Sequence, residues 1–272
     1  MFCPKSIKMS VELFLNEVLA RQEDRDWLMS DLQVLKEGEQ IAQYVKSGQM
    51  VITEIAPGLL PLAVLAHLTQ YALDVNAARG ISREITIATL RDTNIWLDGY
   101  YDQEGIRGMG EYCWLRRHFT GDLFQLGRLQ FRLEWAAPFI PEGKQVIETH
   151  IPRGRRLTKE DCLESFAMAK EFFATHFPDH QAKYFFCDSW LLSPDLEEIL
   201  NPDANILQFS KLWDHVPFDP DDSEQAVRHL YGVNYKREHV INAPENTSLQ
   251  RKAKARILAG DNINIGAGIR KI

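Results

Sequence analysis

Cysteine is scarce in this 272-residue chain, and the four present lie far apart: Cys3, Cys113, Cys162 and Cys187. No CxxC pair exists, which argues against a zinc knuckle and makes a reduced, cytoplasmic protein the expectation. Long apolar runs are missing as well. None approaches the roughly 20 residues that a bilayer span requires, so no membrane association is expected. The opening stretch MFCPKSIKMSVELFLNEVLARQEDRD lacks a long apolar core and soon turns acidic, unlike a secretory signal. A basic excess is absent too. The 31 Lys and Arg stand against 38 Asp and Glu, a net charge of -7, which disfavours nucleic acid as a partner. Neither GxxxxGKS/T nor GxGxxG occurs, so the phosphate loops of Walker A and Rossmann proteins are excluded. No paired acidic residues show metal-ligand spacing, so no metal is expected and phosphoryl or nucleotide chemistry is disfavoured.

What the chain does have is an ordinary globular composition, 45% hydrophobic and 25% charged, with a change of pattern near residue 120. Residues 8–75 read as helical. Ser10 caps a run with Val11, Leu13, Phe14, Val18 and Leu19 at helical spacing, and Trp27 to Val45 continue it. Leu59 to Leu73 is apolar nearly all round and predicts a buried helix. A further helix opens at Ser82 and runs to Gly99. From Leu123 to Trp135 the period becomes two. Leu129, Phe131 and Leu133 alternate with Arg128, Gln130, Arg132 and Glu134, a strand with one buried and one polar face. Pro138 to Lys144 reads as a hairpin loop, and Gln145 to Ile151 as the returning strand.

A helix with a stripe of Leu163, Phe166, Ala167, Lys170, Phe173 and Ala174 follows, ending at Pro178. Lys183–Leu192 is a buried strand, 195–200 a short helix, 205–218 a further strand region, and 223–231 and 249–259 are helices. The expected class is α+β: a helical N-terminal domain, 1–120, followed by a mixed β-sheet flanked by helices, 121–272.

The densest chemical signal is the strand–loop–helix at 145–177. Arg153, Gly154, Arg155 and Arg156 lie between strand and helix, and Thr158 with Glu160 and Asp161 resembles a capping box. A glycine lets the backbone approach a ligand, arginines grip phosphate oxygens, and N–H groups at a helix N-terminus favour an anion. A solvated basic turn is the competing reading. Glu148 and His150, two apart on a strand, point the same way, as a base and its orienting carboxylate would, or as an exposed polar face would. Asp188 and Ser189 end the next strand, placed to meet an acceptor or a thiol leaving group, or to cap the strand. Ser189 lacks a GxSxG elbow, which disfavours a Ser189–His150–Asp188 triad, and Cys187 reads as a small buried apolar residue. The basic helix with Arg251, Lys252, Lys254 and Arg256 could assist an anionic ligand or remain a solvated face.

The order strand, basic loop, helix, strand, short helix and further strand resembles the GNAT superfamily of N-acyltransferases. The carrying segments are TLRDTNIWL (89–97), LFQLGRLQFRLE (123–134), THIPRGRRLT (149–158), ESFAMAKEFFATHFP (164–178), DSWLLSPDLEEIL (188–200), NILQF (205–209) and TSLQRKAKARILAG (247–260). Jointly they are similar to acyltransferase-domain proteins that pair a helical N-terminal domain with a GNAT-like C-terminal one. The resemblance implies an acyl-CoA co-substrate, a small-molecule amine acceptor and direct aminolysis in a ternary complex. It places the CoA pyrophosphate at Arg153, Gly154, Arg155, Arg156 and Thr158. The family loop, R/Q-x-x-G-x-G/A, carries two glycines where this chain has one. A GNAT-like fold retained only as a binding module is the alternative. No oligomeric state follows from the sequence.

Overall fold

The computed structural model of the protein describes residues 4–48, 55–134, 145–218, 224–232 and 235–272. The expected hairpin loop at 138–144 lies outside these residues. Two compact units emerge: Met1–Leu126 with Pro152–Gly154 and Thr175–Phe177, and Gly127–Ile151 with Arg155–Ala174 and Pro178–Ile272.

The first unit contains α1 (Pro4–Leu13), α2 (Gln22–Leu28), α3 (Leu32–Ser47), α4 (Leu59–Ala78), α5 (Arg83–Leu90), α6 (Asp92–Glu104), α7 (Tyr112–Phe119) and a short strand β1 (Phe124–Leu126). The apolar α4 is its axis, with Pro61 to Thr69 all buried, as its sequence requires. The helix α3 approaches closely through Gly38, where a Cβ would stand 2.7 Å from Ala63 Cβ. Ser10 Oγ donates to the Ala66 carbonyl (2.8 Å), and His67 Nε2 lies 3.0 Å from the Leu35 carbonyl. The helix expected from Ser82 to Gly99 is two. Arg91 ends α5, and α6 continues from Asp92 to Glu104.

The second unit contains β2 (Leu129–Glu134), β3 (Val146–His150), α8 (Lys159–His176), β4 (Tyr184–Ser189), α9 (Asn205–Ser210), β5 (Asp214–Val216), α10 (Glu224–Tyr231), α11 (Ser248–Leu258) and β6 (Gly266–Lys271). Within this unit the strand order is β2-β3-β4-β6-β5. The pair β3–β4 is parallel and joined through α8; β2–β3, β4–β6 and β5–β6 are antiparallel. The sheet is therefore mixed, as expected.

Four local expectations are corrected. The run 123–135 breaks at Gly127 (φ +67), giving two strands rather than one. Arg128 and Gln130, expected on the polar face, are buried. The stretch 205–218 is a helix, α9, and then the short β5. Leu207 and Phe209 face inward, and Phe209 and Trp213 meet edge to face with centroids 5.8 Å apart, so packing decides a run whose period does not. The buried stripe of α8 is Cys162, Ser165, Phe166, Ala169, Phe172 and Phe173, while Leu163 is exposed. Phe166 sits 5.9 Å from Phe131 and 4.9 Å from Phe185, so α8 covers the sheet face that carries those rings.

The glycine-rich C-terminus is the remaining surprise. It forms β6, because only glycine fits there. A Cβ on Gly266 would lie 2.1 Å from the Leu192 carbonyl oxygen, and one on Gly268 2.7 Å from Trp213 Cβ.

Candidate active site

Register builds the site. In β2–β3, Arg132 stands opposite Glu148 and Gln130 opposite His150. In β3–β4, Glu148 stands opposite Phe186. Side chains alternate faces, so Gln130, Arg132, Glu134, Glu148, His150 and Asp188 share the face opposite α8. Farther along this face an apolar patch is formed by Val146, Phe186 and Ala267 with Tyr184, Val216, Phe218 and Ile269. The β3–β4 ladder itself pairs residues 147 with 185 and 148 with 186. Thr149 to Ile151 therefore run on past the paired stretch.

Glu148 is the hub. Arg132 Nε donates to its Oε2 at 2.5 Å, and His150 Nε2 lies 3.3 Å from the same oxygen. Arg132 Nη2 also pairs with Glu134. Burial pushes the Glu148 carboxyl pKa up, but the contact and charge of His150 and the Arg132 guanidinium outweigh it and bring it down to about 2. Glu148 is thus a fixed anion. His150 turns its Nε2 to that anion, so the carboxylate fixes the orientation of the imidazole. Asp188 is exposed at its edge, yet desolvation and then the nearby charge of Glu148 raise its carboxyl pKa.

Ser189 is not brought to this cluster. Its side chain is buried on the α8 face and accepts the Leu191 N–H (3.2 Å), capping the 3-10 turn Trp190–Leu192. Cys187 is fully buried and its thiol pKa is raised well above the ordinary value, so it is inert as a nucleophile.

The basic loop follows β3. Gly154 has φ +113, and a Cβ there would meet nothing within 4 Å. Arg153 belongs with the first unit, where burial lowers its pKa against the charge of Asp102. In the second unit Arg155 is exposed, its Nη2 3.9 Å from Asp161. Thr158 Oγ1 accepts the Asp161 N–H (3.2 Å), making the first half of the expected capping box. The basic helix α11 is tied down instead of open. Arg251 donates to the Glu245 carbonyl, Lys252 to that of Ile199, Lys254 pairs with Glu245, and Arg256 with Asp195 and Glu198.

Sequence reasoning missed two arginines. Arg132 was one of several polar-face residues until the register set it against Glu148. Arg128 belongs to the same polar face by period, but its Nε donates to the carbonyls of both Arg155 and Arg156 (3.1 Å each). Among the described residues no group of His, Cys, Asp and Glu is arranged to hold a metal ion. Nor is any described helix long and apolar enough to cross a membrane.

Comparisons with known proteins agree with this architecture. Residues 123–270 match the GNAT-like C-terminal domain, and residues 9–121 the N-acyltransferase N-terminal domain. No curated protein sequence matches the chain. Among solved structures, an acyltransferase in complex with decanoyl-CoA and teicoplanin is 24% identical. It superposes with a TM-score of 0.82 over 96% of this chain and 87% of that one. An acyltransferase mutant in complex with octanoyl-CoA is 23% identical with a TM-score of 0.83, over 97% and 88%. A third, in complex with CoA and 10C-teicoplanin, is 24% identical with a TM-score of 0.76, over 98% and 84%. These likenesses establish the fold.

Proposed function

The chain belongs to the acyltransferase family that joins an N-acyltransferase N-terminal domain to a GNAT-like C-terminal domain, and on that premise we propose that it moves an acyl group from acyl-CoA to a small-molecule amine. The observation that carries the reading is the Glu148–His150 pair, an anionic carboxylate orienting an imidazole where β3 runs past its ladder with β4. The amine nitrogen attacks the thioester carbonyl while His150 takes its proton. The carbonyl oxygen then carries the negative charge, and its collapse breaks the C–S bond. The departing thiolate takes a proton, which the imidazolium formed at His150 can return, so the proton count closes; Asp188 lies on the same face, beside Glu148. Ser189 caps the turn after β4, on the sheet face opposite Glu148 and His150.

The donor's phosphates fit the loop after β3. Arg153, Gly154, Arg155, Arg156 and Thr158 provide guanidinium groups, an open glycine turn and the start of α8. The solved neighbours that hold decanoyl-CoA, octanoyl-CoA and CoA support acyl-CoA as the donor. A second reading, a GNAT-like module that binds without transfer, is favoured by two observations: the loop has one glycine, and two acids, Glu160 and Asp161, occupy the first turn of α8.

Calorimetry with CoA and a thiol-release assay with candidate amines separate the two. Transfer requires CoA binding, weakened by Arg153→Ala with Arg155→Ala, and amine-dependent thiol release lost in His150→Gln. Undetectable CoA binding at about millimolar ligand overturns both the donor and the enzyme.

A further inference from the structure

We infer that Arg128 is a positioning residue for the phosphate-bearing half of the donor, acting through the backbone of the basic loop; this rests on the acyl-CoA reading above. Arg128 leaves the tight turn at Gly127 and is buried. Its backbone N–H donates to Ser165 Oγ (2.7 Å), and Ser165 Oγ donates to the Asp161 carbonyl (2.8 Å) in the first turns of α8. A Cβ on Gly127 would meet Ser165 Oγ at 2.7 Å, so the turn is seated directly on α8. From this seat the single Nε reaches the carbonyls of both Arg155 and Arg156 at 3.1 Å.

Peptide geometry turns that contact into a directional one. Among the described residues no peptide bond is cis. In a planar trans peptide the C=O of one residue and the N–H of the next point in opposite directions. With the Arg155 and Arg156 carbonyls both drawn to Arg128, the N–H groups of Arg156 and Leu157 face away from it. One buried cation thereby presents two successive N–H groups ahead of α8, whose first-turn N–H groups also point outward. Successive N–H groups facing one side hold anions well. The loop lacks the second glycine of its family pattern, and the Arg128 contact supplies from outside the loop the backbone order that a glycine would otherwise permit from within.

The test compares two donors on the full-length protein. CoA carries phosphates, whereas S-acyl-pantetheine carries none. The Arg128→Gln variant is expected to raise the Kd for CoA about tenfold or more, the loss typical of a hydrogen bond from a charged group. Arg128→Lys, which keeps the charge but presents a compact point donor, falls between it and wild type. Turnover of S-acyl-pantetheine stays within about twofold, and amide exchange at 156–157 quickens in both variants. Should Arg128→Gln not fold, Arg128→Lys carries the same comparison. Equal loss with both donors, or unchanged CoA affinity, overturns the positioning role. Wild-type protein that does not bind CoA overturns the acyl-CoA reading itself and the inference with it.

Discussion

Glu148→Gln tests the electrostatics of the site without reference to any substrate. Glutamine keeps the shape and removes the charge. Glu148 is mostly buried, its side chain 17% exposed, so solvent screens its partners little. Its carboxyl falls from 4.5 to about 2, because His150 and Arg132 outweigh burial. That difference is worth about 3 kcal/mol to the folded state. The sign follows from which state binds the proton. Between these values the unfolded chain protonates Glu148 and the folded one does not, so the stabilisation is full above 4.5 and is lost as pH falls towards 2. At about pH 7 the variant should be less stable by about 3 kcal/mol, and by about pH 3 the gap should have shrunk to less than half. Urea unfolding, followed by tryptophan fluorescence at several pH values, reads the difference between the two proteins, in which the other titrating groups cancel. A gap that stays constant from about pH 7 to about pH 3 would refute the assignment of Glu148 as an ion held by Arg132 and His150.

Two further predictions concern the scaffold. Burial brings the His67 pKa down from 6.5 to about 4, so wild-type stability should lose about 3 kcal/mol as pH falls across that window, a loss that the uncharged His67→Gln lacks; parallel pH profiles for the two proteins would sink the idea. Gly266→Ala places a Cβ 2.1 Å from the Leu192 carbonyl oxygen, backbone against backbone, and should cost about 3 kcal/mol or more, whereas a thermal midpoint equal to wild type would show that β6 tolerates a side chain there.

The helical first unit was legible because its signals are local. Ser82 caps α5 as its sequence suggests, and α4 is as buried as an all-round apolar helix must be. The alternation in β3 was equally readable: Val146, Ile147 and Thr149 are buried, with Glu148 and His150 partly so. Failures came where a distant partner decided. Asn205 to Ser210 became helix against the packing of Phe209 and Trp213. The strand β6 has no such local signal, because the chain its glycines approach, at Leu192, lies far away in sequence.

The site was half legible for the same reason. Period two says which residues of one strand share a face, but it does not say which face of the next strand adjoins them. Glu148 and His150 were therefore secure as a pair, while Asp188 and Ser189, adjacent in sequence, had to be separated by register. The pairing of Glu148 with Phe186 puts Asp188 beside Glu148 and sends Ser189 to the α8 side. The same arithmetic across β2–β3 turns Arg132 from a surface cation into the partner that keeps Glu148 charged. Arg128 is the harder case, because its role lies in no pairing pattern. Its side chain crosses from a turn to a loop 27 residues away and donates there to carbonyl oxygens, which every residue type possesses. A backbone contact of that kind leaves no mark on the identity of Arg155 or Arg156. It shows in the sequence only as an arginine after a glycine, and its meaning rests on where α8 and the loop come to lie.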